Sequence, residues 1–345
     1  MRRAGPGAAI VFALVLGIAA APSLAETSGQ ALAQDVGRRL VGTPAPRMLL
    51  KTIDGQNIDL GALYGKKAVY LKFWATWCVP CRQQMPHFEH AYETAGSDLA
   101  VIAVDTGFND SLEEVQKYRQ KLGISMPIVI DDGSLGAAFG LRVTPQHIVI
   151  GRDGRVEYVG HLADARLDAA LVSARSESAA DHSQSAASPP PIRHYRVGDQ
   201  LPDRAVPTID GRRFRFHDSA DPRPLVLVFL SPWCESYLAT TRPAVASHCR
   251  RMREQVSELA QVPDVRWLGV ASGLWATTED LRDYRQKYAV KLPLTLDASG
   301  TLFHAFDISE TPAALVVDRT GRIVRKIGGE ELETPTTMRS AIVAL

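Results

Sequence analysis

The chain has 345 residues, 39 basic against 38 acidic, a formal net charge of +1 and 46% hydrophobic residues. That length holds two ordinary domains with a core in each, and the charge balance excludes the basic excess or stripe of a nucleic-acid binder. Its four cysteines, Cys78, Cys81, Cys234 and Cys249, are too few for a disulfide scaffold and point to chemistry instead.

The N-terminus reads as a separate piece. Arg2 and Arg3 precede an apolar run of 14 residues, Ala8 to Ala21, and Ser23 to Ala25 offers small residues before Glu26. This is the pattern of a secretory signal peptide over residues 1–25, cleaved after Ala25. The run is short of the roughly 20 residues of a spanning helix. No cysteine lies near the cleavage point for a lipid anchor. The mature protein is expected to be soluble in the periplasm, where disulfides form and thiols need a dedicated source of electrons. Residues 26–39 read as a loose or short helical lead-in.

The predicted elements follow in order. "AVYLKFW" (Ala68 to Trp74) is a strand, and a helix is expected from about Cys81 to Ala95. "LAVIAV" (Leu99 to Val104) is a strand. A helix over Ser111 to Leu122 has its apolar face near Leu112, Val115 and Leu122. Strands "PIVID" and "QHIVI" follow, then a turn at Asp153-Gly154, the strand "RVEYVG", and a last helix from Leu162 to about Ser173. Ser173 to Pro191 is Ser/Ala-rich, ends in three prolines and lacks apolar periodicity, so residues 173–192 read as a flexible tether.

The rest of the chain repeats the first part. "VG" at Val41 recurs at Val197, "IDG" at Ile53 recurs at Ile209, and "WC" at Trp77 recurs at Trp233, each offset by 156 (197 − 41, 209 − 53, 233 − 77). "YRQK" at Tyr118 recurs at Tyr284, offset by 166 (284 − 118), and "TP" at Thr144 recurs at Thr311, offset by 167 (311 − 144). The second copy therefore gains about ten residues in or just past the helix after its cysteine. A period of this size is a domain duplication, with domains at 40–172 and 193–345. Strands alternating with helices and then a hairpin imply an α/β fold with a mixed central sheet and helices on both faces.

The chemistry of the first copy sits in "WCVPC". Cys78 and Cys81 lie at a strand-to-helix junction, one helical turn apart and close enough to bond. Free N–H groups and the partial positive charge of a helix N-terminus stabilise a thiolate at Cys78. Motifs of this type lower the first thiol's pKa to roughly 3.5–7.5. The Cys78 thiolate attacks a substrate disulfide and Cys81 resolves the mixed disulfide. Pro80 falls in the first helical turn, where its missing N–H costs nothing. A zinc site would need His87 and His90, which lie about 9 and 13 Å along the helix, too far for closure. A Cu(I) metallochaperone is the alternative from another class, since two thiolates suit a soft ion, but Met85 and His87 stand isolated. A peroxidase lacks its activating threonine and proline ahead of both Cys78 and Cys234.

"FWATWCVPCRQQMP", its preceding strand and "VTP" before "QHIVI" resemble the thioredoxin fold, and most closely the TlpA/ResA-like family of extracytoplasmic thiol–disulfide oxidoreductases, across nearly all of 40–172. The resemblance implies two tandem thioredoxin-like folds. It implies that Pro145 is a cis-proline facing the disulfide, that Thr144 offers backbone hydrogen bonds to a substrate strand, and that Trp77 flanks the sulfurs. It also implies a reducing role on protein disulfides, with a membrane electron donor. No cofactor is expected beyond the redox-active Cys78–Cys81 disulfide, because no G-x-G-x-x-G appears in a strand–helix context. An oxidase or isomerase direction stays open.

Where thioredoxins place an acid, six residues before the first cysteine, this chain has Lys72. Two readings stand: an outward lysine that snorkels to water, or a buried ammonium under the active site that favours the thiolate. The second copy, "FLSPWCESY", keeps Trp233 and Cys234 and the pair Thr311-Pro312, but Tyr237 replaces the resolving cysteine and Val228 replaces Lys72. Cys249 lies 15 residues past Cys234 (249 − 234), about 22 Å on one continuous helix. Bonded cysteines need Cα atoms within roughly 7 Å, so no bridge is expected and Pro243 is expected only to kink the helix. The second domain then reads as a scaffold, as a substrate-docking module with a single thiol, or as a partner whose Cys234 exchanges with Cys78–Cys81.

Overall fold

The structure is a computed structural model that describes residues 24–176 and 192–343, apart from 219, 262, 330 and 332–336, with residues 24–27 described by backbone alone. The signal-peptide reading covers residues 1–25, of which 1–23 lie outside the described residues, as does most of the tether, 177–191.

The first half begins with α1 (Leu24–Leu40), a hairpin of β1 (Leu49–Lys51) and β2 (Asn57–Asp59), and the short α2 (Leu60–Leu63). Then come β3 (Ala68–Trp74), α3 (Val79–Gln83), α4 (Met85–Glu93), β4 (Leu99–Asp105), α5 (Leu112–Leu122), β5 (Ile128–Ile130) and α6 (Ser134–Ala138). It closes with β6 (Gln146–Ile150), β7 (Val156–Gly160) and α7 (Ala165–Ser176). The second half runs β8 (Ala205–Pro207), β9 (Arg213–Arg215), β10 (Leu225–Leu230), α8 (Cys234–Thr241), α9 (Pro243–Leu259), β11 (Arg266–Ser272) and α10 (Thr278–Lys287). It ends with β12 (Leu294–Asp297), α11 (Thr301–Ala305), β13 (Ala313–Val317), β14 (Ile323–Ile327) and α12 (Thr337–Val343).

Each half holds a five-stranded mixed sheet, ordered β5-β4-β3-β6-β7 and β12-β11-β10-β13-β14. In both, the strand before the cysteine is central, parallel to one neighbour and antiparallel to the other. All seven residues of β3 are buried, as expected of a strand covered on both faces. Local chemistry sets the helix starts alike: Ser111 and Glu114 form a capping box on α5, and Thr277 and Asp280, offset by 166 (277 − 111, 280 − 114), form one on α10. This is the two-domain architecture expected from the repeat, with the thioredoxin-like fold that the resemblance implies.

Several expected elements shift. The lead-in is a full helix, α1, packed along β7 with Ala33 and Val36 buried. The helix expected over 81–95 breaks at Gln84 into α3 and α4, with Pro86 in the first turn of the second piece. On α5 Val115 is buried and Tyr118 packs against Trp74. Leu112 and Leu122 are exposed, because the stripe they define lies off the sheet-facing side. The last helix starts at Ala165 and reaches Ser176. The ten-residue gain lies where it was expected: α9 has 17 residues against 9 in α4.

The expectation of one continuous helix from Cys234 to Cys249 is corrected. The chain leaves the helical region at Arg242 (φ −142°, ψ 66°), and α9 starts afresh at Pro243 and packs back on α8. That reversal brings Cys234 and Cys249 to a Cα separation of 6.3 Å, and the two are disulfide-bonded.

Candidate functional site

The motif cysteines are joined in a disulfide with Cα atoms 5.2 Å apart. Cys78 is the N-cap of α3, and its sulfur accepts the Cys81 N–H at 3.1 Å. Pro80 sits in the first turn, where no donor is lost. The Cys78 sulfur lies 3.4 Å from the Thr144 carbonyl oxygen, and the Thr144–Pro145 peptide is cis. Trp77 is buried beside the sulfurs and donates its indole N–H to the Phe108 carbonyl at 2.7 Å. Cys78, Cys81, Trp77, Pro80, Thr144 and Pro145 are thus brought together from two separate stretches of chain.

Lys72 does not snorkel. It is wholly buried, its Nζ lies 3.4 Å from the Cys81 carbonyl oxygen, and it sits 5.1 Å from the centroid of the Phe88 ring. A central strand covered on both faces leaves its stem no path to water. Burial lowers its pKa to about 7, since no carboxylate faces it to offset desolvation.

Sequence reasoning missed the polar groups beside it. His147 stands opposite Lys72 in the β3–β6 ladder. Its Nδ1 is 2.8 Å from the Tyr70 hydroxyl and its Nε2 is 2.8 Å from Gln84 Oε1. Gln84 Nε2 donates to the His161 carbonyl at 3.2 Å, and His161 Nδ1 is 2.7 Å from the Pro145 carbonyl. Only one proton arrangement satisfies every partner: Tyr70 donates to His147, His147 to Gln84, Gln84 to His161, and His161 to Pro145. His147 is therefore neutral, and burial, then the Lys72 charge, hold its pKa well below the usual range. The one available signal was a histidine, His147, inside the apolar strand "QHIVI".

A second buried pair lies at the end of β4. Asp105 is fully buried and accepts the Gly107 N–H at 2.9 Å on one carboxylate oxygen, while its other oxygen has no hydrogen-bond partner. Desolvation, then the Asp110 charge, push its pKa well above the carboxylate range, so Asp105 is the protonated member of the pair. Asp110 accepts the Thr76 N–H at 2.8 Å and pairs with Arg242 at 2.6 Å. Gly107 (φ +63°) lets this loop turn, because a Cβ there would meet the Asp131 carbonyl oxygen at 2.4 Å.

In the second domain Trp233, Cys234, Thr311 and Pro312 occupy the matching places. Trp233 donates to the Leu274 carbonyl at 2.7 Å, as Trp77 does to Phe108, and Thr311–Pro312 is also cis. The expected free thiol is absent. Cys234 is fully buried and bonded to Cys249, so neither a mixed disulfide on a lone Cys234 nor exchange by its free thiol fits this state. Val228, in the place of Lys72, is buried, and Ala271 and Ala276 fall where Asp105 and Asp110 would. The ionisable groups under the first disulfide have no counterpart in the second domain. Among the described residues no cluster of metal-ligating side chains forms, and His87 pairs with Asp168 at 2.8 Å.

The sequence profile of the AhpC/TSA family matches residues 41–159 and 197–326, one segment in each domain. The thiol-disulfide oxidoreductase ResA of Halalkalibacterium halodurans is 38% identical over 117 residues, 33% of this chain, and the chain spans 65% of that protein's length. The thioredoxin-like protein YneN of Bacillus subtilis is 33% identical over 133 residues, 38% of this chain and 78% of YneN. A crystal structure of a thiol:disulfide interchange protein of the thioredoxin family from Chlorobium tepidum shares 30% identity and covers 39% of this chain and 97% of its own, with a TM-score of 0.33.

Proposed function

The chain belongs to the AhpC/TSA family and is one of its ResA-like, thioredoxin-fold members; from that premise we propose that it is a thiol–disulfide oxidoreductase that reduces protein disulfides through Cys78 and Cys81. The observation that carries this is the Cys78–Cys81 disulfide at a helix N-terminus, with the carbonyl before the cis-proline 3.4 Å from its sulfur. In the reduced enzyme the Cys78 thiolate attacks one substrate sulfur. A mixed disulfide forms and the other substrate sulfur leaves as a thiolate. Cys81 then attacks the Cys78 sulfur, the second substrate thiolate leaves, and two electrons have passed to the substrate. The disulfide seen here is the spent form, which a membrane electron donor recharges.

The reading uses no cofactor beyond that disulfide and places the enzyme in the periplasm, supported by the basic and apolar start of the sequence. The helix N-terminus and the Lys72 ammonium both favour a Cys78–Cys81 thiolate. The second domain acts as scaffold rather than as a single-thiol docking module, because its one motif cysteine is committed to Cys249.

The test is the Cys78–Cys81 potential, measured by equilibrating the protein in glutathione buffers and reading each cysteine by alkylation and mass spectrometry. A value near about −250 mV or lower supports a reductant. A value near about −120 mV makes the protein an oxidant or isomerase and reverses the direction.

A further inference from the structure

The two domains meet face to face through equivalent surfaces. The Asn109 N–H donates to the Ser309 carbonyl at 2.8 Å, and the Trp275 N–H donates to the Arg142 carbonyl at 2.8 Å. These are one contact made twice, since Asn109 and Trp275 are offset by 166 (275 − 109) and Arg142 and Ser309 by 167 (309 − 142). Each domain's loop after its second central strand thus lies along the other's cis-proline loop. The Thr311 N–H, ahead of the second cis-proline, donates to Asn109 Oδ1 at 2.9 Å. The Trp275 indole donates to Thr144 Oγ1 at 3.2 Å.

The same junction covers the disulfide. The Tyr237 hydroxyl accepts the Val79 N–H at 3.1 Å, immediately after Cys78. Trp233 and Tyr237 pack on Trp77 with centroids 5.2 and 6.1 Å away. Cys78 keeps 2% of its surface and Cys81 none. A substrate sulfur needs in-line access to Cys78, and this arrangement gives it none.

Several features suit a contact that separates. Beside an aromatic seam of Trp77, Phe108, Trp233 and Phe303, it rests on polar groups: Arg242 of the second domain pairs with Asp110 and Glu114, and Arg142 donates to the carbonyls of Gly273 and Ala276 at 3.0 and 2.6 Å. A crevice of about 280 Å³, lined from both sides by Phe108, Asp132, Leu141, Phe303 and His304, leaves part of the junction unpacked. Residues 177–191 join the domains, a length that reaches up to roughly 50 Å extended.

We propose that the second domain is a tethered competitor for the substrate surface of the first: a protein disulfide reaches Cys78 only after Trp275, Tyr237 and Arg242 have moved off Thr144, Val79 and Asp110. This rests on the exchange chemistry proposed above. The partner that fits the exposed surface is an extended strand carrying a disulfide, which would replace Trp275 along Arg142–Thr144 as an added backbone partner. The missing second cysteine at Tyr237 then has a reason. The hydroxyl fills the space over α3 and caps a backbone donor that a cysteine would leave bare.

The test uses the full mature chain and two substitutions on the second domain, Arg242→Ala and Trp275→Ala, with circular dichroism as the check on folding. Two rates are read: reduction of Cys78–Cys81 by a small dithiol, followed by alkylation and mass spectrometry, and reduction of insulin disulfides. The expected result is that both substitutions speed reduction of Cys78–Cys81 about tenfold or more, and insulin turnover with it. Folded variants with the wild-type rate of Cys78–Cys81 reduction overturn the proposal. Faster reduction of Cys78–Cys81 with no insulin turnover in any variant upholds the closure and removes the oxidoreductase reading instead.

Discussion

Trp77 and Trp233, the same residue in the two copies of the repeat, stack on each other across the domain junction with ring centroids 5.2 Å apart and planes inclined by 32°. Each indole N–H is also spent alike, on a backbone carbonyl of its own domain at 2.7 Å. The residue that flanks the sulfurs in one domain therefore rests on its own duplicate. Offset aromatic pairs of this kind contribute about 0.5–1.5 kcal/mol beyond the area they bury. One buried cluster, running from Trp77 and Phe108 to Phe303, crosses from one core into the other.

The order of attack at Cys78 and Cys81 sets the first expectation. Cys78→Ser is expected to abolish insulin reduction. Cys81→Ser is expected to accumulate a mixed disulfide at Cys78, because nothing remains to resolve it. Intact-mass spectrometry of the Cys81→Ser protein after reaction reads this directly, and a mixed disulfide on any other cysteine contradicts the assignment.

Lys72 carries a pH-dependent cost. Its folded-state pKa is about 7 against 10.5 in a free side chain. Between those values the unfolded chain binds a proton that the folded one does not, so stability rises with pH across that window. The cost is fully present below pH 7. Lys72→Met is expected to stabilise the protein by roughly 3 kcal/mol at pH 7, with the gain fading towards pH 10.5. Urea titrations at several pH values measure this; a gain independent of pH would assign it to packing.

The same substitution bears on the chemistry. Removing a buried ammonium beside Cys81 withdraws support from the thiolate, which belongs to the reduced form. The Cys78–Cys81 potential of Lys72→Met is expected to fall by on the order of 10–30 mV, since about 30 mV corresponds to 1.4 kcal/mol for this couple. Glutathione equilibration reads the shift, and a rise in potential refutes the electrostatic account.

Asp105 works in the opposite sense. Its folded-state pKa is raised, so the proton it keeps is lost from the unfolded chain above about pH 4, and its stabilisation drains away as pH rises towards the folded value. Asp105→Asn keeps an acceptor for the Gly107 N–H without titrating. It is expected to raise the melting temperature at pH 7, with a gain of about 1–3 kcal/mol, and to leave it unchanged near pH 3.5. Equal melting curves at pH 7 would mean that Asp105 is not the protonated partner.

The Cys234–Cys249 bridge closes a loop of sequence separation 15 and ties α8, with its capping Tyr237, to the deeply packed α9. A loop of this length contributes about 3 kcal/mol on the chain-entropy account. Cys234→Ala with Cys249→Ala is expected to lower stability by about that amount, measured in urea. Denatured, oxidised wild-type protein is expected to show no free thiol to alkylating agents; two free thiols would remove the bridge.

What the sequence determined by itself was everything carried by local pattern and by repetition. Offsets of 156 and then 166 fixed two copies of one fold and placed the gain in length after Cys234, and the apolar run "AVYLKFW" marked the central strand. Spacing alone put Cys78 and Cys81 one helical turn apart. What only the tertiary structure decided depends on groups far apart in the chain. A reversal at Arg242 turned an apparent 22 Å into a bonded pair, because distance along a helix holds only while the helix continues. Two covered faces of one sheet made Lys72 a buried amine beside His147, which no count of its neighbours in sequence reveals. The docking of one active-site face on its duplicate arose from loops 166 residues apart meeting at a junction, and contacts at that separation leave no periodicity to read.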